Sequence, residues 1–186
     1  MLVKSITNLI YGTILKSLLL LFLLHLSLFG HPHTFMDVYP TIKVEKGHTS
    51  SIHFKWVFDE MTSSMLIMDI DSNGNGKIEA KENFFIYANY FITLEDYGFY
   101  THITVDSKPV ELPKPKNFKA TIENHRVCYS FDIEANYDIT KTAFSFGDEE
   151  LYVACMLKKE FLNVDGATVK LTELKDDYFG YKMELQ

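Results

Sequence analysis

The sequence has few cysteines and no apolar run long enough to span a membrane. Only two of its 186 residues are cysteines. Its longest apolar run, residues 17–29, has 13 positions, whereas a spanning helix needs about 20. Repeats and low-complexity tracts are also absent. The two cysteines permit at most one disulfide within the chain, and the apolar run is shorter than an ordinary spanning helix needs.

Catalytic motifs and excess positive charge are missing as well. No G-x-S-x-G, H-E-x-x-H or Gly-rich phosphate loop occurs, so we expect a protein that is not an enzyme. The one enzymatic alternative left open is oxidative chemistry at a copper ion held by an N-terminal histidine. The formal net charge of −7 argues against a nucleic-acid partner.

The first 30 residues have the features of a secretory signal peptide. Lys4 and Lys16 provide positive charge before and at the start of the apolar run, SLLLLFLLHLSLF. We expect cleavage after Gly30 and a periplasmic protein, with an uncleaved membrane anchor as the alternative. Because residues 1–30 contain two lysines and no acid, residues 31–186 carry a net charge of −9. Such an acidic exported chain favours cations as partners.

The two cysteines fall on opposite faces of their predicted strands. In RVCYSFDI, Cys128 alternates with the apolar Val127 and Tyr129, whereas Cys155 shares a face with Val153 and Leu157. Export permits a disulfide, but opposite faces favour free thiols over a bridge.

Alternating apolar residues predict a mainly β protein. In SIHFKWVFD, Ile52, Phe54, Trp56 and Phe58 share one face, which is typical of a half-buried strand. Turn residues separate about nine such segments, which predicts an antiparallel β-sandwich or open barrel as one domain over residues 31–186. The predicted strands are 33–45, 51–59, 99–106, 118–123, 126–135, 142–147, 151–158, 167–174 and 180–185.

A helix–loop–helix is predicted as an insertion at about residues 59–96. Asp59 can cap a first helix that runs to about Ile70. Methionines 61, 65 and 68 follow helical spacing; we expect them to form a core stripe, with a Cu(I) site as the alternative. A second helix, about 80–95, carries Phe84, Tyr87, Phe91 and Leu94 along one stripe.

The loop between these helices, DSNGNGKIEAKE at 71–82, matches the EF-hand pattern D-x-[DN]-x-[DN]-G-x₅-E. Ca²⁺ takes six to eight oxygen ligands. Gly76 permits the sharp bend that brings the seventh carbonyl to the ion. The predicted ligands are Asp71, Asn73, Asn75, the carbonyl of Lys77, Glu79 and Glu82. The competing interpretation is a polar turn that binds no ion.

The low charge of this site predicts weak calcium binding. Only Asp71, Glu79 and Glu82 carry formal charge, which suggests a dissociation constant on the order of 10⁻⁵ to 10⁻³ M. EF-hand loops usually pair through position eight. Ile78 therefore has to contact either its own sandwich or a second copy of the chain, and a homodimer through the loop stays open.

Cleavage after Gly30 would leave a chain that begins His-Pro-His. An amine and two imidazoles suit Ni²⁺, Co²⁺, Cu²⁺ or Zn²⁺. In a strand, His31, His33 and Asp37 share a face, and His53 lies on the polar face of the next strand. We therefore predict a transition-metal site at His31, His33 and His53, with Asp37 as a possible fourth ligand. A polar N-terminus without metal is the alternative.

HPHTFMDV, FKWVFDE, DIDSNGNGKIEAKE and YGFYTHITVD together resemble a bacterial exported family of unknown function. The His-Pro-His start and the segment holding Trp56, Phe58, Asp59 and Glu60 are its more specific marks. The family is described as the periplasmic component of an uncharacterised ABC-type transport system, often encoded beside nickel or cobalt permeases. The resemblance implies an accessory role in metal transport, with an inner-membrane metal permease or ABC-type transporter as the partner. The alternative is a calcium-stabilised structural or interaction module.

Overall fold

Two strands at the start of the described chain set the frame of the fold. In the computed structural model, residues 34–134, 136–148, 153–174 and 180–186 are described. Strand β1 (Thr34–Glu45) pairs antiparallel with β2 (His48–Phe58) over nearly its whole length. Met36, Val38, Trp56 and Phe58 point inward from these strands and are buried. The alternating pattern therefore predicts the buried face correctly.

Strands make up most of the regular structure in the described residues, and they form two sheets. The remaining strands are β3 (Thr101–Val105), β4 (Lys108–Val110), β5 (Lys116–Glu123), β6 (Arg126–Ile133), β7 (Thr142–Phe146), β8 (Val153–Met156), β9 (Asn163–Asp165), β10 (Val169–Leu174) and β11 (Gly180–Leu185). The first sheet has the order β5-β6-β2-β1-β8, with β9 also paired to β1, and the second has the order β10-β11-β7-β3-β4. The prediction of a mainly β protein is confirmed, and β4 and β9 are the short strands that it lacked.

Strand β1 has three strand partners. Its early part pairs in parallel with β8, where Thr34 is opposite Val153. Its later part pairs in parallel with β9, where Thr41 is opposite Asn163. Antiparallel pairing with β2 occupies its other edge. A purely antiparallel sandwich is therefore not what the chain forms, because the pairings with β8 and β9 are parallel.

Aromatic side chains connect the inner faces of the two sheets. Phe54 on β2 lies 5.6 Å from Phe146 on β7, measured between ring centroids. Within the first sheet, Trp56 on β2 makes an edge contact with Phe131 on the neighbouring β6 at 4.9 Å. These side chains are all essentially inaccessible to solvent. The core therefore lies between the sheets, and the arrangement is sandwich-like.

A helical arm, residues 60–100, connects β2 to β3. It consists of α1 (Glu60–Ile70), α2 (Ala80–Ile86), a π-helical turn (Tyr87–Phe91) and a 3₁₀ segment (Ile92–Tyr100). The predicted second helix over 80–95 is therefore helical throughout, but it is α-helical only to Ile86. At the π turn the N–H of Ile92 donates to the carbonyl of Tyr87. This i→i+5 bond changes the phase of the apolar stripe, and Phe84 is exposed while Phe91 is buried.

The methionines of α1 face solvent, which corrects the predicted core stripe. Met61, Met65 and Met68 are 62%, 53% and 77% exposed. The buried side of α1 instead consists of Thr62, Ser63 and Ile70. The Ser63 hydroxyl donates to the Phe58 carbonyl and accepts the N–H of Val127 at 2.9 Å. Small polar residues allow the helix to lie close to the strand ends, so the methionines point away from the core.

Both thiols are free and buried. Cys155 belongs to the core between the sheets, beside Met36 on β1. Cys128 lies on the outer face of the first sheet, in a shallow cleft with Tyr39 and Lys55. The prediction that they fall on different faces agrees with this placement. Burial raises the pKa of both thiols above the usual range.

No helix in the described part of the chain is long and apolar enough to cross a membrane. The predicted signal peptide at residues 1–30 and its cleavage after Gly30 lie outside the described residues.

Asn83 on α2 completes the hydrogen bonding of the edge strand β5. Its side-chain oxygen accepts the N–H of Ala120 at 2.7 Å, and its amide nitrogen donates to the carbonyl of Phe118 at 3.5 Å. Ala120 is 2% exposed, so water cannot replace this acceptor. A helix thus covers an edge that would otherwise offer free backbone groups.

Substituting Asn83 should therefore destabilise the sandwich. We expect Asn83→Leu to lower the free energy of unfolding by about 1–3 kcal/mol, because the Ala120 N–H loses its only described acceptor. Urea denaturation followed by tryptophan fluorescence measures this, since Trp56 is buried in the adjoining core. Asn83→Asp keeps an acceptor oxygen and should cost less. Equal stability of the leucine and wild-type proteins would contradict the role assigned to Asn83.

Candidate metal centre

Asp59 fixes the point at which the helical arm begins. Its carboxylate accepts the N–H of Thr62 at 2.9 Å, which caps α1 as predicted. The same carboxylate accepts the N–H of Phe35 at 3.0 Å. Burial alone would raise the pKa of this carboxyl, but these N–H groups outweigh it and hold the pKa below its ordinary value. The start of α1 is thereby tied to the start of β1.

The loop after α1 turns around the carboxylate of Asp71. One oxygen accepts the N–H of Asn75 at 3.1 Å, and the other accepts the N–H of Gly76 at 2.8 Å. Gly76 has a φ of +72°, a conformation that residues with a Cβ adopt rarely. The sharp bend predicted at this position is therefore present, and it brings the middle of the loop back over the first acidic residue.

Three more oxygen-bearing side chains meet on the exposed side of this loop. The amide nitrogens of Asn73 and Asn75 lie 3.5 Å and 3.2 Å from the Glu79 carboxylate. The Asn73 oxygen accepts the N–H of Asn75, and the Asn75 oxygen accepts the N–H of Lys77. The structure thus brings together Asn73, Asn75 and Glu79, three of the predicted ligands, and Asp71 is bonded to the same turn.

Glu82 connects the two ends of the loop. One of its oxygens accepts both the N–H and the hydroxyl of Ser72, at 2.9 Å and 2.8 Å. The other accepts the N–H of Glu79 at 3.0 Å, which forms a capping box at the start of α2. The Glu79 N–H, followed by the Ser72 groups, holds the pKa of Glu82 below its ordinary value. The carboxylate is therefore ionised at neutral pH and only 6% exposed.

Ile78 packs against the core of its own chain. The sequence left two contacts open for this residue, its own sandwich or a second copy. The structure shows the first of these. The homodimer through the loop stays a prediction, and Ile78 gives it no support.

The side chains of the loop suit a hard cation. Asp71, Asn73, Asn75, Glu79 and Glu82 offer only carboxylate and amide oxygens, which Ca²⁺ prefers. Across the described ranges, however, no three His, Cys, Asp or Glu side chains are close enough to hold one ion together. The carboxylates of Asp71 and Glu82 are bonded to backbone N–H groups at different parts of the loop. The oxygen ligands therefore suit calcium. The carboxylates alone do not form a site, so the two asparagines and the Lys77 carbonyl are needed to complete the coordination of the ion.

The predicted histidine site is not assembled in the described part of the chain. His31 and His33 lie outside the described residues. His53 is opposite Thr41 on β1, seven residues beyond Thr34, which corresponds to about 23 Å at the usual rise of a strand. Its ring nitrogen lies 2.6 Å from the carboxylate of Asp132 on β6. The structure therefore pairs His53 with Asp132 and separates it from the start of β1.

Asp37, the possible fourth ligand, is also committed elsewhere. Its carboxylate lies 3.1 Å from a guanidinium nitrogen of Arg126, and both side chains are mostly buried. Arg126 further donates to the carbonyls of Phe58 and Val57. A metal at Asp37 would have to compete with this fixed cation.

Two residues at the loop were missed by sequence reasoning. Ser72 is the second residue of the loop, a position for which the EF-hand pattern specifies no residue type, yet it donates twice to Glu82. Asn83 follows the last position of that pattern and bonds to β5. The pattern describes ion ligands only, so it carries no signal for residues that attach the loop to the rest of the protein.

The fold and loop together define a two-sheet β protein with a helical arm and an oxygen-rich turn. Residues 17–176 match DUF1007, described as a protein of unknown function, and the chain belongs to that family. It is 32% identical over 97 residues to an uncharacterised 15.5 kDa protein in the trpE 3′ region of Spirochaeta aurantia, covering 50% of this chain and 69% of that protein.

A second relative is an uncharacterised protein of Haemophilus influenzae. It is 28% identical over 142 residues, which cover 74% of this chain and 68% of the relative. No solved structure gives a significant match. The family resemblance drawn from the motifs is thus confirmed as membership of a family of unknown function, and the function has to be argued from the residues themselves.

The lowered pKa of Glu82 predicts how the loop responds to acid. A carboxyl with a depressed pKa contributes stability that is fully present above its unfolded value, 4.5 for glutamate, and is lost as the pH falls through the folded-state value. In calcium-free buffer, the free energy of unfolding of the wild type should exceed that of Glu82→Gln at pH 7. The excess should shrink as the pH falls below about 4.5. Urea denaturation across pH 3–7 measures it.

Glu95→Gln provides the control for this titration. Glu95 is an exposed acid on the same arm but outside the loop, so its substitution should leave the pH dependence close to that of the wild type. A difference in the free energy of unfolding between wild type and Glu82→Gln that stays constant from pH 7 to pH 3 would contradict the prediction. It would show that the charge of Glu82 does not contribute to the stability of the folded protein.

Proposed function

We propose that this protein is an exported calcium-binding accessory protein, and that loop 71–82 is a single EF-hand-like site. One observation carries the proposal: both oxygens of the Asp71 carboxylate accept N–H groups from Asn75 and Gly76. This closure wraps the oxygen-bearing side chains of the loop around its first acid. Asp71, Asn73, Asn75, the Lys77 carbonyl, Glu79 and Glu82 would hold the ion.

Bound calcium would supply charge neutralisation and rigidity, not reaction chemistry. The loop brings three acids, Asp71, Glu79 and Glu82, into 12 residues. The same 12 residues contain two basic side chains, Lys77 and Lys81. A divalent cation offsets the repulsion among these carboxylates. Because α1 is tied to β1 through Asp59 and α2 is tied to β5 through Asn83, an ion in the loop would fix both ends of the arm on the sandwich.

The weak affinity expected from three formal charges suits a protein outside the cytoplasm. A dissociation constant on the order of 10⁻⁵ to 10⁻³ M matches extracellular calcium modules better than cytosolic sensors. A structural ion is then present whenever the protein is in its working compartment. This supports a stabilising role for calcium over a signalling role.

Calcium should raise the melting temperature of the wild-type protein. An ion that binds only the folded state at 100 times its dissociation constant adds about 2.7 kcal/mol to the free energy of unfolding. We expect a concentration-dependent increase in melting temperature over a range of millimolar CaCl₂, relative to EGTA. Differential scanning calorimetry measures it, and equal concentrations of MgCl₂ should produce a smaller shift.

Glu82→Gln distinguishes ion binding from the hydrogen bonding of the loop. Glutamine keeps one acceptor oxygen, for either the Ser72 groups or the Glu79 N–H, and it is an accepted capping-box residue, but it removes the carboxylate. We expect this variant to lose most of the calcium-dependent shift, while Glu95→Gln, with the same change of charge outside the loop, retains it. Identical calcium shifts in all three proteins, or none in the wild type, would overturn the proposal.

A transition-metal role at the N-terminus is a separate proposal based on sequence. His31 and His33, with the terminal amine of a chain cut after Gly30, would bind Ni²⁺, Co²⁺, Cu²⁺ or Zn²⁺. The proposed partner is an inner-membrane metal permease or ABC-type transporter, and the proposed compartment is the periplasm. His53, the third predicted ligand, lies 2.6 Å from the Asp132 carboxylate, so it would have to exchange that partner for the metal.

Calorimetry with NiCl₂ and CuCl₂ tests the transition-metal role directly. The mature protein should bind one ion, and a His31→Ala, His33→Ala double variant should lose that binding. His53→Ala should weaken binding less than the double variant does, because the His53 ring is already paired with Asp132. Unchanged affinity for Ni²⁺ and Cu²⁺ in the double variant would contradict the transition-metal role. The calcium-stabilised structural or interaction module would then be the preferred function.

A further inference from the structure

Helix α1 presents three methionine side chains to solvent on one face. Met61, Met65 and Met68 are 62%, 53% and 77% exposed, and no other exposed residue of α1 is a large apolar one. Burial of a methionine side chain stabilises the folded state, and these three forgo most of that contribution. Side-chain burial therefore does not explain why the exposed face carries methionine.

The spacing of the three residues brings their sulfur atoms toward one another. At 100° and 1.5 Å per residue, they lie within an arc of about 60°, with Met65 about 6 Å along the axis from Met61 and about 4.5 Å from Met68. Each side chain has three rotatable bonds and adapts easily. Met65 is thus a neighbour of both others, and all three thioethers can approach a single point above it.

The charges on this helix favour a cation. Glu60 and Asp69 lie beside the first and last methionines, Asp59 caps the start of the helix, and α1 contains no Lys, Arg or His. The last turn, which carries Met68, also has the negative end of the helix dipole. A cation above the methionines therefore meets no positive charge on its own helix.

We propose that Met61, Met65 and Met68 form a thioether site for Cu(I). Thioether sulfur is a soft ligand that selects Cu(I) over hard divalent ions, so calcium does not compete for it. The proposed ligand set includes no residue of loop 71–82 and neither His31 nor His33. Leucine at the same positions would offer the same apolar surface without sulfur, and this difference separates metal binding from simple hydrophobic docking.

Nuclear magnetic resonance of methionine methyl groups tests the site in the intact protein. Ag⁺, which has the same preference for thioethers and no redox chemistry in this setting, serves as the probe. Titration should shift the ¹³C-methyl signals of Met61, Met65 and Met68 together, saturating at one equivalent. The signals of Met36 and Met183, which are buried in the core, should stay unchanged.

The Met61→Leu, Met65→Leu, Met68→Leu triple variant removes sulfur and retains volume. Leucine and methionine are close in size and both favour helix, so the melting temperature should change little. Competition against bathocuproine disulfonate under anaerobic reducing conditions should give a Cu(I) affinity at least about tenfold weaker than that of the wild type. If the triple variant fails to fold, the Ag⁺ titration of the wild-type protein alone tests whether the three methionines bind the ion.

Two controls make the outcome specific. Met156→Leu removes a partly exposed methionine on β8, whose sulfur accepts the Tyr181 hydroxyl at 3.3 Å, and should leave Cu(I) affinity unchanged. The His31→Ala, His33→Ala double variant should keep the three methyl shifts. The proposal is overturned if Ag⁺ leaves the α1 methyl signals in place, or if the triple leucine variant binds Cu(I) as tightly as the wild type.

Discussion

The packing of Phe91 is the interaction on which the geometry of the helical arm depends. Its ring is stacked 4.3 Å from Phe118 on β5 and lies 5.1 Å from Phe131 on β6. It also lies 4.9 Å from Phe99, at the end of the arm. One side chain thus joins the exit of the arm to two adjacent strands of the first sheet. Because this ring is fully buried, the arm cannot swing as a free appendage, and the loop is held at a fixed place beside β5.

This anchorage explains why the loop can be polar and exposed without detaching from the sandwich. Asp59 secures the entrance of the arm, Phe91 secures its exit, and Asn83 joins the middle to the sheet edge. Between these points, Glu82 bonds to both ends of the loop. An ion in the loop would act on a segment that is already positioned, so binding would tighten the arm without having to fold it.

Short sequence patterns correctly predict the features that depend on interactions between neighbouring residues. Strict alternation identified the buried face of β2, the position of Asp59 identified the start of α1, and the Asx–Gly spacing identified the turn at Gly76. Each of these features depends on residues that are close together in the sequence. The two-sheet arrangement follows from the number of such strands, whereas their order does not.

The features that the sequence did not indicate depend on distant partners. Nothing near His53 in sequence indicates Asp132, because that pair is set by the register of β2 against β6. The methionines of α1 follow a valid core period, but the close approach of Ser63 to the strand ends places a different face inward. The π turn at residues 87–91 shifts the apolar stripe by one residue, and no short motif marks it.

The three partners of β1 have a consequence for how the chain reaches its native state. A ribosome, and any export channel that handles the chain from its N-terminal end, delivers β1 long before β8 and β9. The hairpin with β2 can form early, but the other edge of β1 stays open until nearly the whole chain is available. Exposed strand edges invite wrong pairings, and contacts between distant residues slow folding. The protein therefore has a period after synthesis in which β1, the strand with three partners in the native sheet, has one edge exposed.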